Sequence, residues 1–300
     1  MAQSIQNVVL VGAAGSVGEA VLAALVASKK FNIKIIRRLG STSAAPDGIT
    51  VEDVDFDSHE ALVKSLEGQD AVVSTVGGPG VPVQKNFIDA AVTAGVQRFI
   101  PSDFGSNLYH PSATSNPIFA QKLKILAYLV EQAKASSLTW TSVATNALLD
   151  WGIEHDFILN FSEYKPSIID GGDFEFTTTR LTTAAEAVVQ ILLKPEETKN
   201  RAVYLEDYRI SQNQFLALAQ KVAPNKPWQV NHITSQDLTK VGEENLAKGL
   251  MGPETFLPFV FRAAFTKSGG GDFDVTDNEL LGLKRATEED ILGLLRAHLK

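Results

Sequence analysis

A short apolar strand running straight into a glycine turn constrains this chain more than any other feature. Residues Asn7 to Gly18 read Asn-Val-Val-Leu-Val-Gly-Ala-Ala-Gly-Ser-Val-Gly, with an apolar run at Val8–Val11 and glycines at Gly12, Gly15 and Gly18. Small and apolar residues then continue at helical spacing from Val17 to Leu25. A buried strand that turns through glycines into a helix aims several backbone N–H groups and the positive helix end at one point. That geometry suits a pyrophosphate. One glycine makes the sharp turn, one admits phosphate to the backbone, and one lets helix and sheet approach closely. Gly12, Ala14, Gly15, Ser16, Val17 and Gly18 are therefore candidate dinucleotide-binding residues. The spacing is G-x-x-G-x-x-G rather than G-x-G-x-x-G, and an ordinary strand–turn–helix is the competing reading.

The pattern downstream extends this unit into a fold. Apolar runs recur near Val8–Val11, Ile33–Ile36, Ile49–Val54, Ala71–Val76, Arg98–Ile100 and Leu138–Val143, with helical patterns at Glu60–Leu66, Gln84–Ala94 and Phe119–Val130 between them. Continuous apolar strands separated by helices indicate a parallel sheet covered on both faces. The expectation is an α/β, doubly wound Rossmann-type domain over residues 1–150. A smaller, less regular substrate lobe follows over residues 151–300 and closes over the ligand, with a segment near 173–208 returning to the sheet. In that second half, Ser162–Thr179 reads as loop and irregular strand, and Thr182–Leu193 as a helix ended by Pro195. Arg201–Tyr208 reads as one strand, followed by a helix started by Ser211, helices at Ser235–Lys248 and Pro253–Ala264, and a last helix begun by Thr287.

Composition removes several classes of function. The 300 residues contain no cysteine, which excludes disulfides, thiol catalysis and cysteine–zinc sites. The five histidines show no metal-ligand spacing, so no metal is expected. A formal charge of −8 argues against a nucleic-acid-binding surface. No stretch approaches the roughly 18 uninterrupted apolar residues of a membrane span, and no basic region precedes a signal-like apolar block. The cytoplasm is the expected compartment, and monomer and homodimer both stay open.

The second strand speaks to the cofactor. It ends Lys34-Ile35-Ile36-Arg37-Arg38, without the Asp or Glu that accepts from the ribose 2′-OH of NAD. A guanidinium pairs well with a phosphate dianion, so Arg38, with Arg37, is expected to recognise a 2′-phosphate and make NADP(H) the cofactor. The alternative is a pair of solvated strand-end charges. Asp55-Phe56-Asp57 ends the third strand and borders the adenine in one reading; in the other, Asp57 or Ser58 caps the next helix.

Several blocks together resemble the NmrA-like, isoflavone-reductase-like branch of the atypical short-chain dehydrogenases. They are Val11–Gly18, Leu66–Ser74 and Ala94–Gly105, the last containing Arg98-Phe99-Ile100-Pro101-Ser102-Asp103-Phe104-Gly105. The segment Thr145–Gly152 adds to the likeness. The resemblance implies a Rossmann-type domain, a small substrate lobe and NADP(H). It also implies that Thr75, Val76 and Gly77 line the cofactor, that Ser102 and Phe104 stand near the nicotinamide end, and that Asn146 belongs to the cofactor-lining set. No tyrosine is followed four residues later by lysine, so the usual short-chain dehydrogenase pair is absent. Isoflavone-type reductases instead carry F-x-x-K-x-K on the helix after the fifth strand. That pattern matches Phe119-Ala120-Gln121-Lys122-Leu123-Lys124 and points to Lys122 as the catalytic residue.

The residues themselves say something about Lys122. At 100° per residue, Phe119, Leu123, Ile125, Leu126, Leu129 and Val130 share one helix face, and Lys122 falls inside that arc while Lys124 falls opposite. A lysine in an apolar stripe loses hydration, which disfavours its charged form and brings its proton affinity towards neutrality. Such an amine can protonate a carbonyl or place the nicotinamide ribose; a snorkelling lysine with a wet tip is the alternative. His155 and Trp151 follow the Thr145–Asn146 strand end and are candidates for substrate contact. Two main readings remain: an NADPH-dependent reductase of a small aromatic or polyketide-like carbonyl or conjugated substrate, and a cofactor-sensing regulator that reports to a protein partner. An NAD(P)-binding epimerase or lyase on the same fold is a third.

Overall fold

The computed structural model describes residues 4–43 and 47–299. Strand β1 (Asn7–Val11) shows how the sequence builds the layers. Val8 and Leu10 enter one apolar core and Val9 and Val11 the other, as the two-residue strand period requires. Helix α1 (Ser16–Ser28) follows, then β2 (Asn32–Arg38), β3 (Thr50–Val54), α2 (His59–Leu66) and β4 (Ala71–Ser74). The alternation continues through α3 (Gln84–Ala94), β5 (Arg98–Ile100), α4 (Ala120–Ala135) and β6 (Thr139–Ala144). In β4 the same split recurs, with Val72 facing the core under α2, α3 and α4 and Val73 facing α1.

Next come β7 (Ala147–Leu148), α5 (Leu149–Glu154), β8 (Ser167–Ile169), β9 (Glu175–Thr179), α6 (Leu181–Leu193), α7 (Pro195–Thr198) and β10 (Arg201–Tyr204). The chain closes with β11 (Tyr208–Ser211), α8 (Gln212–Val222), β12 (Asn231–Ile233), α9 (Ser235–Ala247), α10 (Pro253–Phe265), α11 (Asn278–Leu281) and α12 (Glu288–His298). The main sheet has seven strands in the order β10-β6-β5-β4-β1-β2-β3, and every pairing in it is parallel. This is the doubly wound sheet that the alternation implies. Strand order reverses between β1 and β4, and the crevice beyond their carboxyl ends is where such sheets bind ligands.

A third apolar core, holding Phe161, Phe176, Phe215, Ile291 and Leu295, lies in the second half of the chain. Expected helix starts there have capping boxes: Ser211 with Gln214 on α8, and Thr287 with Asp290 on α12. Pro195 ends α6 and opens α7, where its missing N–H costs nothing.

One expectation is corrected. Arg201–Tyr208 is not one strand: β10 joins the main sheet beside β6, whereas β11 pairs antiparallel with β9 in a three-stranded sheet with β7. Between them Glu206 and Asp207 are buried. Glu206 accepts from Thr177 and Arg209 at 2.9 Å and pairs with Arg285, while Asp207 takes the Arg180 backbone N–H at 2.7 Å and its guanidinium at 3.2 Å. These buried carboxylates turn the chain from one sheet to the other. The segment Ser162–Thr179, read as loop and irregular strand, contains the short strands β8 and β9.

Candidate functional site

The three glycines of the first turn have three different surroundings. Gly12 has φ +87°, and a Cβ there would stand 2.7 Å from the Thr75 carbonyl carbon. Gly18 lies under the first turn of α1, where a Cβ would be 2.1 Å from the Gly12 carbonyl oxygen. Gly15 is exposed, and a Cβ on it would meet only that same oxygen, at 3.8 Å. So Gly12 makes the turn, Gly18 brings helix and strand together, and Gly15 leaves open space. Gly15 also occupies the N-cap of α1 without a side-chain acceptor, so the first amides of the helix keep free donors at its positive end.

A cavity of about 800 Å³ opens over this turn. Gly12, Ala13 and Ala14 form one wall, Ile36, Arg37 and Arg38 from β2 another, and Val76 and Gly77 a third. The two arginines differ. Arg37 lies opposite Asp53 in the β2–β3 register and donates to both its carboxylate oxygens, at 2.5 and 3.1 Å, and to the Ser43 carbonyl. Asp53 raises the already high proton affinity of Arg37 through that hydrogen bond. Arg38 is exposed at the strand end, its guanidinium 5.9 Å from the centre of the Phe56 ring. Phe56 is itself held edge-on by Phe87, with ring centres 4.8 Å apart. Helix α2 is capped by Ser58, whose hydroxyl accepts from the Ala61 N–H at 3.3 Å, so of the Asp55–Asp57 segment the ring, not an acid, faces the cavity.

Two expected cofactor residues stand behind the wall. Thr75 is buried, and its hydroxyl donates to the carbonyls of Val11 and Gly12 at 2.9 and 3.0 Å, bracing the turn. Ser102 is buried too. Its hydroxyl donates to the Val76 carbonyl at 2.8 Å, and its N–H donates to the Gln84 side chain at 2.8 Å. Both residues fix the carboxyl ends of neighbouring strands.

Gly77 lines this first cavity, and the next residue, Gly78, lines a second of about 490 Å³. Phe104, Lys122, Asn146, Trp151 and Phe157 line it, and Leu257, Val260 and Ala264 of α10 cover it. Lys122 is half-buried, whereas Lys124, two residues on, is exposed. The Lys122 Nζ donates to the backbone carbonyl of Asp103. The Asp103 carboxyl is buried and accepts from the Ser142 hydroxyl at 2.6 Å. Burial pulls the Lys122 amine below the ordinary lysine value of 10.5, and the Asp103 charge opposes that fall. Burial likewise raises the Asp103 carboxyl, against the Lys122 charge and the Ser142 hydrogen bond. An amine in this setting gives up a proton more readily than a solvated lysine.

Asn146 sits at φ +47°, in the left-handed region. Its side-chain NH2 donates to the Thr177 and Ala264 carbonyls at 2.9 and 3.3 Å, tying β6's exit to β9 and α10. Its Oδ1 is buried without a hydrogen-bond partner among the described residues. Trp151 lines the cavity while His155 stacks on its ring, centres 4.5 Å apart and planes 15° from parallel.

Phe56 is singled out in the sequence only within the Asp55–Asp57 segment, and Phe157 and the α10 residues escape the sequence reading. The α10 signal was present, since Leu257, Val260 and Ala264 share one face at helical spacing, but no sequence pattern says what that face covers. Among the described residues no group of three or more His, Cys, Asp or Glu side chains is placed to hold a metal. No helix among the described residues is long and apolar enough to cross a membrane.

The chain is similar to known proteins along its length. It is 33% identical to oxidoreductase aprR of Aspergillus flavus, over 97% of this chain and 99% of that one. A solved complex of leucoanthocyanidin reductase with NADPH, from Vitis vinifera, superposes with a TM-score of 0.75 at 18% identity, covering 98% of this chain and 99% of that one. The structure of AtPrR2 with NADP+ and (+)pinoresinol gives 0.76 at 19% identity, covering 99% and 100%. At such identities the two structures establish a shared fold. The sequence model described as the NmrA-like family matches residues 4–257, and the chain belongs to that family.

Proposed function

We propose that this protein is an NADPH-dependent reductase acting on a small aromatic or polyketide-like carbonyl or conjugated substrate. The observation that carries the reading is the half-buried Lys122 amine in a second cavity, lined by Gly78, next to Gly77 of the glycine-turn cavity. A protein that only sensed the dinucleotide would need the first cavity alone. The fully matched relative named an oxidoreductase and the NADP(H) complexes of similarly folded reductases support it.

The residues present fit the cofactor. Open space at Gly15 and uncapped amides at the start of α1 suit the pyrophosphate. The exposed Arg38 guanidinium suits a 2′-phosphate, Arg37 being held by Asp53. Phe56, Ser41 and Ser43 wall the adenosine end, and Val76 and Gly77 lead to the nicotinamide end beside Phe104. When bound, NADPH supplies hydride. The chain's own part is to hold the substrate against Phe104, Trp151 and the α10 face, exclude water there, and deliver a proton from Lys122 Nζ to the carbonyl oxygen as charge develops on it. The Asp103 carbonyl keeps Nζ in place between turnovers.

The test is NADPH oxidation by the purified protein against aryl ketones, quinones, enones and imines. At least one class should be reduced. Tight NADPH binding with no oxidation across the whole panel would leave the sensor reading in its place.

A further inference from the structure

The substrate cavity is not the last hollow along α10. A chamber of about 250 Å³ lies deeper in the second half of the chain, walled by Ile158, Leu159, Ile169, Ile233, Phe261 and Phe265. Phe157 belongs to the wall of both spaces. Helix α10 runs along both as well. Leu257, Val260 and Ala264 face the substrate cavity, while Phe261 and Phe265 face the chamber. At 100° per residue these are adjacent stripes of one helix.

Phe157 is the one residue common to the two linings. The centre of the Phe157 ring lies 5.4 Å from that of Phe261 and 5.5 Å from that of Phe265. Its backbone is pinned: the Phe157 N–H donates to the Gly152 carbonyl at 2.9 Å, and Asp156 beside it has φ +53°. The Asp156 carboxylate accepts from the N–H groups of Phe161 and Ser162 at 2.8 and 3.1 Å. Gly152 lets the loop fold this tightly, since a Cβ there would stand 2.8 Å from the Ile158 side chain. Asp156, Asn160, Ser167 and Gln212 are the polar residues at the chamber's edge, and the Gln212 amide among them is engaged at both ends. Gln212 donates to the Ile158 and Ser167 carbonyls at 3.3 Å each and accepts from the Ile169 N–H at 2.8 Å. The larger part of the lining is apolar, from Ile158, Leu159, Ile169, Ile233, Phe261 and Phe265, and that part favours hydrocarbon.

We infer that Phe157 sets the length of substrate the protein accepts, its ring dividing the reaction cavity from a latent subsite for an alkyl or aryl tail. This rests on the proposal that the second cavity holds the carbonyl substrate. Removing the ring joins the two spaces and moves the length limit.

The experiment uses the full chain loaded with NADP+ and a series of alkyl phenyl ketones, from acetophenone to decanophenone, with Kd read by calorimetry. Each added methylene buried in apolar surroundings contributes about 0.8 kcal/mol, or about fourfold in Kd. In the wild type this gain should stop at a particular chain length; in Phe157→Ala it should continue for at least three more methylenes, and in Phe157→Leu for fewer. If Phe157→Ala does not fold, Phe157→Leu carries the test. An unchanged stopping point in the folded variants overturns the inference. NADPH oxidation with the same ketones separates the two proposals. Turnover with an unmoved limit removes only the partition, and a moved limit without turnover of any ketone removes only the reductase reading. Failure of every ketone to bind removes both.

Discussion

Alanine at Gly15 and alanine at Gly18 should have opposite consequences, although the two residues are three apart in one turn. At Gly18 the new Cβ would lie 2.1 Å from the Gly12 carbonyl oxygen, where 3.4 Å is the near edge of ordinary contact, so helix and strand must part by about 1.3 Å. Helix α1 buries Val21, Leu22 and Leu25 in the core it shares with α6. A gap of that size forfeits a large part of their dispersion contact, and overpacking alone costs about 1–3 kcal/mol. Gly18→Ala should therefore lose about 3 kcal/mol, read as a lower urea midpoint with unchanged slope. Gly15 has φ −90° and ψ 162°, which any residue adopts, and its Cβ would enter open space. Gly15→Ala should lose no more than about 1 kcal/mol. Its methyl, however, stands where the pyrophosphate would approach the amides, and NADPH affinity should fall at least tenfold, about 1.4 kcal/mol. Urea titration and NADPH fluorescence titration on both variants decide the matter. A Gly15→Ala protein that binds NADPH like the wild type, or a Gly18→Ala protein with the wild-type midpoint, refutes the division of labour.

Arg38→Ala should weaken NADPH tenfold or more, the loss of one charge-assisted contact, and leave NADH affinity nearly unchanged; equal losses for both nucleotides would contradict the 2′-phosphate assignment. Protonated Lys122 is the proposed proton donor, so kcat/KM should fall as pH rises through an amine value that burial places below 10.5. Because the Asp103 charge favours the ammonium form, Asp103→Asn should move that alkaline limb to lower pH; an upward shift contradicts the coupling. Arg98 is buried under β6 and α7, donating to Thr139, Thr141, Thr198 and the Pro195 carbonyl at 2.5–3.1 Å, and burial lowers it to about 10. Arg98→Ala should cost about 3–5 kcal/mol by chemical denaturation, since four acceptors lose their donor in the interior; a cost within 1 kcal/mol would show that the guanidinium is dispensable.

What the chain discloses on reading follows the range of the interactions involved. The tasks of Gly12, Gly15 and Gly18 are local to one turn and are visible in it. The inward position of Lys122 against the outward Lys124 follows from helical phase, and the Ser211 and Thr287 helix starts from side chains acting three residues away. Arg37 and Arg38 look alike in sequence. They differ because the β2–β3 register places Asp53 opposite Arg37, a pairing made across a crossover. Glu206 and Asp207 resemble surface charges, and their burial depends on Arg180 and Arg285 arriving from distant segments to join the nearby Arg209. Trp151 and Phe157 meet across one local turn, but Leu257 of α10 joins them from a hundred residues on, and no spacing within the sequence shows that.

Under the proposed function, the Lys122 amine performs chemistry in a cavity beside the dinucleotide site. The most direct test of this is Lys122→Met, assayed for NADPH affinity and for turnover of whichever substrate class the wild type reduces. NADPH should bind within about threefold of wild type, and kcat should fall at least about a hundredfold, the scale of a lost general acid. Wild-type kcat in the folded variant would contradict it.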